Sequence, residues 1–290
     1  MILKQFESSE GNVWKYVFDF DGAIAEAVLY RYESFEKRTV LCVSVMSGCP
    51  CDCQMCGTGN HFIRNLTEEE IVQQVDLVLE DKNIDPYECD KFQIMFMSMG
   101  EPFLNYQSVR GAIRDLYIRY SNVKLLVSTI APNMYREMAD FMVLSGDIEN
   151  IGLQFSIHAT TDEARSKLIP YRNKLSLREI RDYGIEWWNY TGAMPYLNYC
   201  ITDSFALDDV ERLKDLFPPN VFCFTFSVLC SPDENMKQAG YRDLTNIRYV
   251  ESLFSNEYST RVFDPAGQDD IGGGCGQLWY VQQALGRTAE

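Results

Sequence analysis

Strand-like and helix-like runs alternate along most of this chain, and that alternation leaves few architectures open. Apolar, β-branched and aromatic runs at residues 40–46, 92–97, 123–128, 151–157, 195–200 and 221–228 read as strands. Helical patterns begin near Glu68, Tyr106, Asn133, Leu177, Asp208 and Asn246. The first carries a capping box, Thr67 with Glu70 three residues on. Ile71, Val75 and Leu79 then repeat every four residues and form one apolar face. Repeated βα units demand a parallel sheet covered by helices. Six units are too few for an eight-stranded barrel. The expected fold class is therefore α/β, a partial, open (β/α)6 barrel with its site at the C-terminal ends of the strands. Ahead of it, residues 13–20 and 25–30 flank the turn signal Asp21-Gly22 and predict an N-terminal β-hairpin extension. The expected division is 1–34 for the hairpin, 35–272 for the barrel and 273–290 for a C-terminal segment.

The chain holds 290 residues, 46% of them hydrophobic, enough for one large core. It has no apolar run long enough to span a membrane and no signal-peptide pattern at its start, so the expected compartment is the cytoplasm. Ten cysteines in such a chain fit metal or redox chemistry better than a secreted disulfide framework. Four of them, Cys49, Cys51, Cys53 and Cys56, fall within eight residues, directly after the first barrel strand.

Cys49, Cys53 and Cys56 stand at C-x3-C-x2-C spacing. Three thiolates can hold three corners of a [4Fe–4S] cubane and leave one iron open, and an open position is what a metal site needs for chemistry. A structural zinc site would want four ligands, typically in two C-x2-C pairs, and a second pair is missing from the sequence. Cys51 can stand in for a neighbour as ligand. One βα unit later comes Met99-Gly100-Glu101-Pro102. Its glycine permits close backbone approach and its glutamate can accept from an ammonium.

These two motifs resemble the signature of the radical S-adenosylmethionine (SAM) superfamily, with its TIM-like barrel. Further stretches resemble one family in it, the RlmN/Cfr dual-specificity methyltransferases, which act on adenine carbons of ribosomal and transfer RNA. They are Glu26-Ala27-Val28-Leu29, Thr39 to Ser44, Arg64 to Thr67, Met97 to Asn105, Leu126 to Thr129, Phe155 to Ala159 and Gly274 to Leu278. The resemblance implies a [4Fe–4S] cluster on Cys49, Cys53 and Cys56, and SAM bound by Gly100, Glu101, Ser128, Ser156, His158 and Ser227. Ser227 stands where the family carries an asparagine. The resemblance also implies that Cys275 carries a methyl group, that Cys42 resolves the adduct by forming a disulfide with Cys275, and that Glu26 accepts a proton. A flavodoxin- or ferredoxin-like electron donor and an RNA substrate are the implied partners, with no membrane. Cys275 lies in Gly272-Gly273-Gly274-Cys275-Gly276, a permissive loop, and Cys42 shares a strand face with Ser44 and Met46. Cys89, Cys200, Cys223 and Cys230 match nothing in the family and read as buried or incidental.

Three features depart from that pattern. The sequence as given starts just before the hairpin, so the family's N-terminal helical RNA-binding domain is expected to be missing. The normally basic stretch before the Cys275 loop is acidic here, residues 261–271. Net charge is −16, from 42 acidic against 26 basic residues, whereas phosphate contacts supply much of the affinity for RNA. Against these stands the basic segment 164–181, with Arg165, Lys167, Arg172, Lys174, Arg178 and Arg181, which reads equally as a solvated face. Trp187, Trp188 and Tyr190 can stack on a base or fill the core. Three readings remain: methylation of an RNA adenine, the same radical methylation of a peptide or small molecule, and a non-catalytic iron–sulfur or zinc module. The glycine-flanked Cys275 argues against the third.

Overall fold

Asp21 and Gly22 both take positive φ, 53° and 85°. That is the backbone a two-residue hairpin requires. They join β2 (Val13–Phe20) to β3 (Ala23–Arg31), and β1 (Ile2–Glu7) pairs antiparallel on the outer side of β2. The computed structural model describes residues 1–59, 61–230, 239–241, 243–267, 270–274 and 277–278. β3 continues antiparallel into β4 (Thr39–Val43), with Val28 opposite Cys42. From β4 the sheet is parallel, through β7 (Phe92–Phe96), β8 (Lys124–Thr129), β9 (Ile151–Ser156), β10 (Tyr196–Cys200), β11 (Cys223–Ser227) and β14 (Thr260–Phe263). The expected hairpin is thus part of one ten-stranded sheet.

Between these strands run α1 (Glu68–Lys82), α2 (Tyr106–Arg119), α3 (Tyr135–Asp147), α4 (Asp162–Leu168), α5 (Leu177–Thr191), α6 (Leu207–Leu216) and α7 (Leu244–Ser252). The capping box at Thr67 and Glu70 forms as the spacing predicts. Six βα units end on a seventh parallel strand, β14, which periodicity did not reveal because it is only four residues long. The predicted first barrel strand, 40–46, is divided: β4 ends at Val43, and Met46 opens a small antiparallel pair, β5 (Met46–Cys49) with β6 (His61–Asn65). A second small pair joins β12 (Leu229–Cys230) to β13 (Ala239–Tyr241).

Alternation along the strands separates two apolar regions. Ala23, Ala25, Ala27 and Leu29 of β3, with Leu41 and Val43 of β4, face the helices and join the main core. Ile24, Val28 and Tyr30, with Val40 and Cys42, face the barrel interior beside Val13, Val17, Met99 and Leu278. No helix among the described residues is long and apolar enough to cross a membrane.

The β5–β6 pair depends on one glycine. Gly48 has φ +75°, and a Cβ there would lie 1.4 Å from the His61 carbonyl oxygen. Gly48→Ala should therefore cost about 1–3 kcal/mol or more, read as a lower denaturation midpoint. Gly22→Ala, at positive φ but with nothing within 4 Å of its Cβ, should cost only about 1 kcal/mol. Equal losses at the two sites would contradict the steric reading.

Candidate active site

The cysteine loop leaves β5 and returns through β6. Cys49 bridges Gly59, and Cys56 N–H closes a turn on the Cys53 carbonyl at 3.0 Å. Gln54 N–H reaches the Leu168 carbonyl at 2.8 Å, which ties the loop's tip to the end of α4. Cys49, Cys51, Cys53 and Cys56 all border one cavity of about 130 Å³. Cys51 is buried against Ile130 and Ile169 and donates toward the Cys49 sulfur, which holds the Cys49 thiol below its ordinary pKa. Burial pushes Cys53 and Cys56 upward. Gly100 brings the second motif against this loop. Its φ is +94°, a Cβ would stand 2.6 Å from Met46, and the Met99 carbonyl accepts from Val45 N–H at 2.9 Å.

The residues matched to the SAM site come together. Gly100, Glu101, Ser128, Ser156, His158 and Ser227 line the cavity that the thiols border. Glu101 is buried, and three donors hold its carboxylate: Thr129 Oγ1 at 2.6 Å, Ile130 N–H at 2.9 Å and Phe103 N–H at 3.1 Å. Burial nonetheless raises it to about 7. His158 Nδ1 accepts from Cys200 N–H at 3.1 Å, so the neutral ring carries its proton on Nε2. Burial, with the charge of Arg165, pulls His158 down to about 4. Ser227 Oγ donates to Asn198 Oδ1 at 2.5 Å. Asn198 on the neighbouring strand brings a side-chain amide to the same wall. Asn198 was missed, although a polar residue at an inward position of an apolar strand was its signal.

Cys42 lies in the adjoining wall. It borders a small chamber with Val28, Tyr30, Met97, Ser98, Gly273 and Gly274. Met97 and Ser98 also line the thiol cavity, so the two spaces share a wall. Cys275 itself lies outside the described residues. Its described neighbours are anchored: Tyr30 Oη donates to the Gly273 carbonyl at 2.5 Å, and Gln277 Oε1 accepts from Gly274 N–H at 2.8 Å. Thr58, in the cysteine loop, donates to the Leu278 carbonyl. Glu26 is fully buried, two residues before Val28 on the strand face that carries Cys42's partner. Its carboxylate lies 3.6 Å from the Lys15 ammonium, itself buried.

Other expectations resolve differently. The basic segment is divided: Arg172 and Arg178 stay exposed, while Arg165 is drawn inside. Arg165 is 1% exposed and donates to the carbonyls of Leu175 and Ile130 at 2.8 and 2.6 Å, beneath the thiol cavity. Lys167 pairs with Glu163 and Arg181 with Asp182. Trp187 is buried and stacks on Phe141. Cys200, read as incidental, lines the thiol cavity. Cys89 and Cys223 are buried.

Among the described residues, no trio of His, Cys, Asp or Glu is gathered at metal-ligand geometry. The fit to an iron–sulfur cluster rests on donor chemistry: thiols, the usual ligands of such clusters, share one cavity with an ammonium acceptor, a neutral imidazole donor and hydroxyls.

Two buried groups give opposing pH dependences to the protein without cofactors. Between about pH 4.5 and 7 the folded chain keeps a proton on Glu101 that the unfolded chain has lost, so stability falls as pH rises. Between about pH 4 and 6.5 the unfolded chain holds a proton on His158 that the folded chain lacks, so stability rises with pH. Glu101→Gln should steepen the rise of the denaturation midpoint with pH, and His158→Gln should flatten it. Each change approaches about 1.4 kcal/mol per pH unit at most. Parallel curves for both variants and the parent would contradict these assignments.

Comparison with known proteins agrees with this geometry. No protein-family model matches the chain. A probable dual-specificity RNA methyltransferase RlmN of Flavobacterium psychrophilum is 31% identical over 281 residues, covering 93% of this chain and 77% of that protein. The Streptomyces coelicolor protein of the same name is 29% identical over 295 residues, covering 96% and 76%. Among solved structures, a radical SAM methyltransferase from Sphaerobacter thermophilus superposes with a TM-score of 0.82 at 25% identity, covering 96% of this chain and 80% of that one. SuiB of Streptococcus suis, at 13% identity and a TM-score of 0.57, shares the fold. Cysteine loop, Gly-Glu-Pro loop, barrel topology and sequence similarity over nearly the whole chain converge: this chain is an enzyme that belongs to the RlmN family of radical SAM methyltransferases.

Proposed function

We propose that the chain methylates an sp2 carbon of an adenine ring in RNA, with Cys275 carrying the methyl group, Cys42 resolving the adduct and Glu26 accepting the ring proton. One observation carries this reading. Cys42 and the Gly273-Gly274 backbone directly before Cys275 border one chamber, and that chamber shares Met97 and Ser98 with the thiol cavity. The RNA acceptor rests on the relatives, which are named RNA methyltransferases.

A [4Fe–4S] cluster on Cys49, Cys53 and Cys56, reduced by a flavodoxin- or ferredoxin-like donor, together with SAM would supply a methyl group and a 5′-deoxyadenosyl radical. The chain's own residues do the rest. Glu101 offers its carboxylate to an ammonium, while Thr129 and Ile130 hold it in place. His158 offers an Nε2–H donor, and Ser128, Ser156, Ser227 and Asn198 give the cavity a polar wall. Cys275 holds the methyl carbon as a thioether until that carbon bonds to the ring. Once that carbon has lost one hydrogen atom and bonded to the ring, the Cys42 thiolate attacks the Cys275 sulfur and an S–S bond forms. The S–C bond breaks with its electron pair going to the methylene, which takes up a proton to become methyl. The one electron left over passes to the redox partner that would serve the cluster, and product leaves. Glu26, buried on the Cys42 face of the sheet, takes the proton from the ring carbon.

The test is peptide mass spectrometry of anaerobically reconstituted protein incubated with SAM. Cys275 should carry one added methyl, absent in Cys275→Ala. An unmodified Cys275 beside continued release of 5′-deoxyadenosine would keep the radical chemistry and overturn the methyl-transfer scheme.

A further inference from the structure

A second space of about 270 Å³ opens on the other side of Cys42. Tyr32 and Arg38, from the β3–β4 connection, line one side, and Gln154 of β9 and Arg261 of β14 line the other. Among the described residues, the hydrogen-bond partners of the two guanidiniums are neutral groups. Arg38 donates to Gln93 Oε1 at 3.2 Å and sits 4.4 Å over the Tyr32 ring, and its buried Nε has no acceptor. Arg261 donates to Thr225 Oγ1 at 2.7 Å and Gln154 Oε1 at 3.0 Å, and sits 4.3 Å over the Tyr196 ring.

The charge balance here is opposite to that of the whole chain. Net charge is −16, yet among the described residues neither arginine has a carboxylate within 4 Å, and neither do Lys91 and Lys124 nearby. Asp264 borders the same space. Burial, and then the charge of Arg38, holds Lys91 below its ordinary value. Burial does the same to Arg261, to which the Arg38 charge contributes. A guanidinium that served only to fill space would be costly in this position, because desolvation is offset only by a counter-charge or full hydrogen bonding. A planar fork with open donors matches an oxyanion.

We propose that Arg38 and Arg261 bind a phosphate group of the acceptor nucleotide, which places its base toward Cys42. The identity of that ligand as methyl acceptor rests on the function proposed above. The phosphate can come from a free mononucleotide or from a nucleotide within a strand. Two half-buried cations can hold one phosphate even where the net charge repels a polyanion at long range.

The experiment measures binding of adenosine, AMP and a short oligoadenylate to cluster-loaded protein saturated with SAM, which occupies the other adenosine-binding position. AMP or the oligoadenylate should bind about 10- to 100-fold more tightly than adenosine. That preference should disappear in Arg261→Gln and Arg38→Gln and return in part in Arg261→Lys. Because the preference is a ratio within each variant, lowered stability does not mimic its loss. A preference for AMP identifies a free nucleotide, and a preference confined to the oligoadenylate identifies a strand. Equal binding of all three ligands, or a preference that survives Arg261→Gln, overturns the proposal. Methylation of Cys275, read on the same samples, separates the two ideas. Methylated Cys275 without a phosphate preference removes only the anion site. A phosphate preference without methylation keeps the anion site and removes the methyl-transfer scheme.

Discussion

The pairing register between β3 and β4 decides what this barrel's interior contains. Val28 stands opposite Cys42 and Tyr30 opposite Val40. A slip of one residue would turn Glu26, Val28 and Tyr30 toward the helices and put Ala25, Ala27 and Leu29 inside. The register is held at the end of the pair. Ser44 Oγ donates to the Glu26 carbonyl at 2.5 Å, and the Gln74 side chain of α1 bonds both the N–H and the carbonyl of Ser44, at 2.9 and 3.0 Å. The hairpin therefore becomes a wall of the site, and Tyr30 can reach the Gly273 carbonyl from it.

Several of the polar groups buried around the site have partners that account for them. Glu101 has three donors and Arg165 has backbone carbonyls, and both sit around the thiols. Lys15 and Glu26 are buried as a pair. A buried pair is weak ground for stability, since desolvation opposes the attraction. The pair lies on the Cys42 face of the sheet, where the proposed proton transfer would use it.

Much of this was legible in the sequence because it is local. Capping at Thr67, apolar spacing along α1, the Asp21-Gly22 turn and the cysteine spacing each lie within a few residues. What stayed hidden depends on distant partners. The strand His61–Asn65 is largely exposed and lacks a buried alternating face, so it pairs with Met46–Cys49 without an apolar signal. Arg165 reads as one cation in a basic run, yet Leu175 and Ile130 draw it inside. Asn198 and Cys200 enter the site because β10 pairs between β9 and β11; the polar Asn198 within an apolar strand was a local hint, but the pairing itself was not. The opposed pair Arg38 and Arg261 lies 223 residues apart in sequence. Only the sheet brings the two to one cavity.

The central claim is that Cys42 and Cys275 act on each other across the chamber bordered by Gly273 and Gly274. Its most direct test is peptide mapping under non-reducing conditions, after one turnover with an acceptor RNA and with exposed thiols blocked. The account predicts a Cys42–Cys275 disulfide that appears with methylated product and is absent when SAM is withheld. Product formed while Cys42 stays reduced, or with Cys275 linked to Cys200 or Cys223 instead, would contradict it.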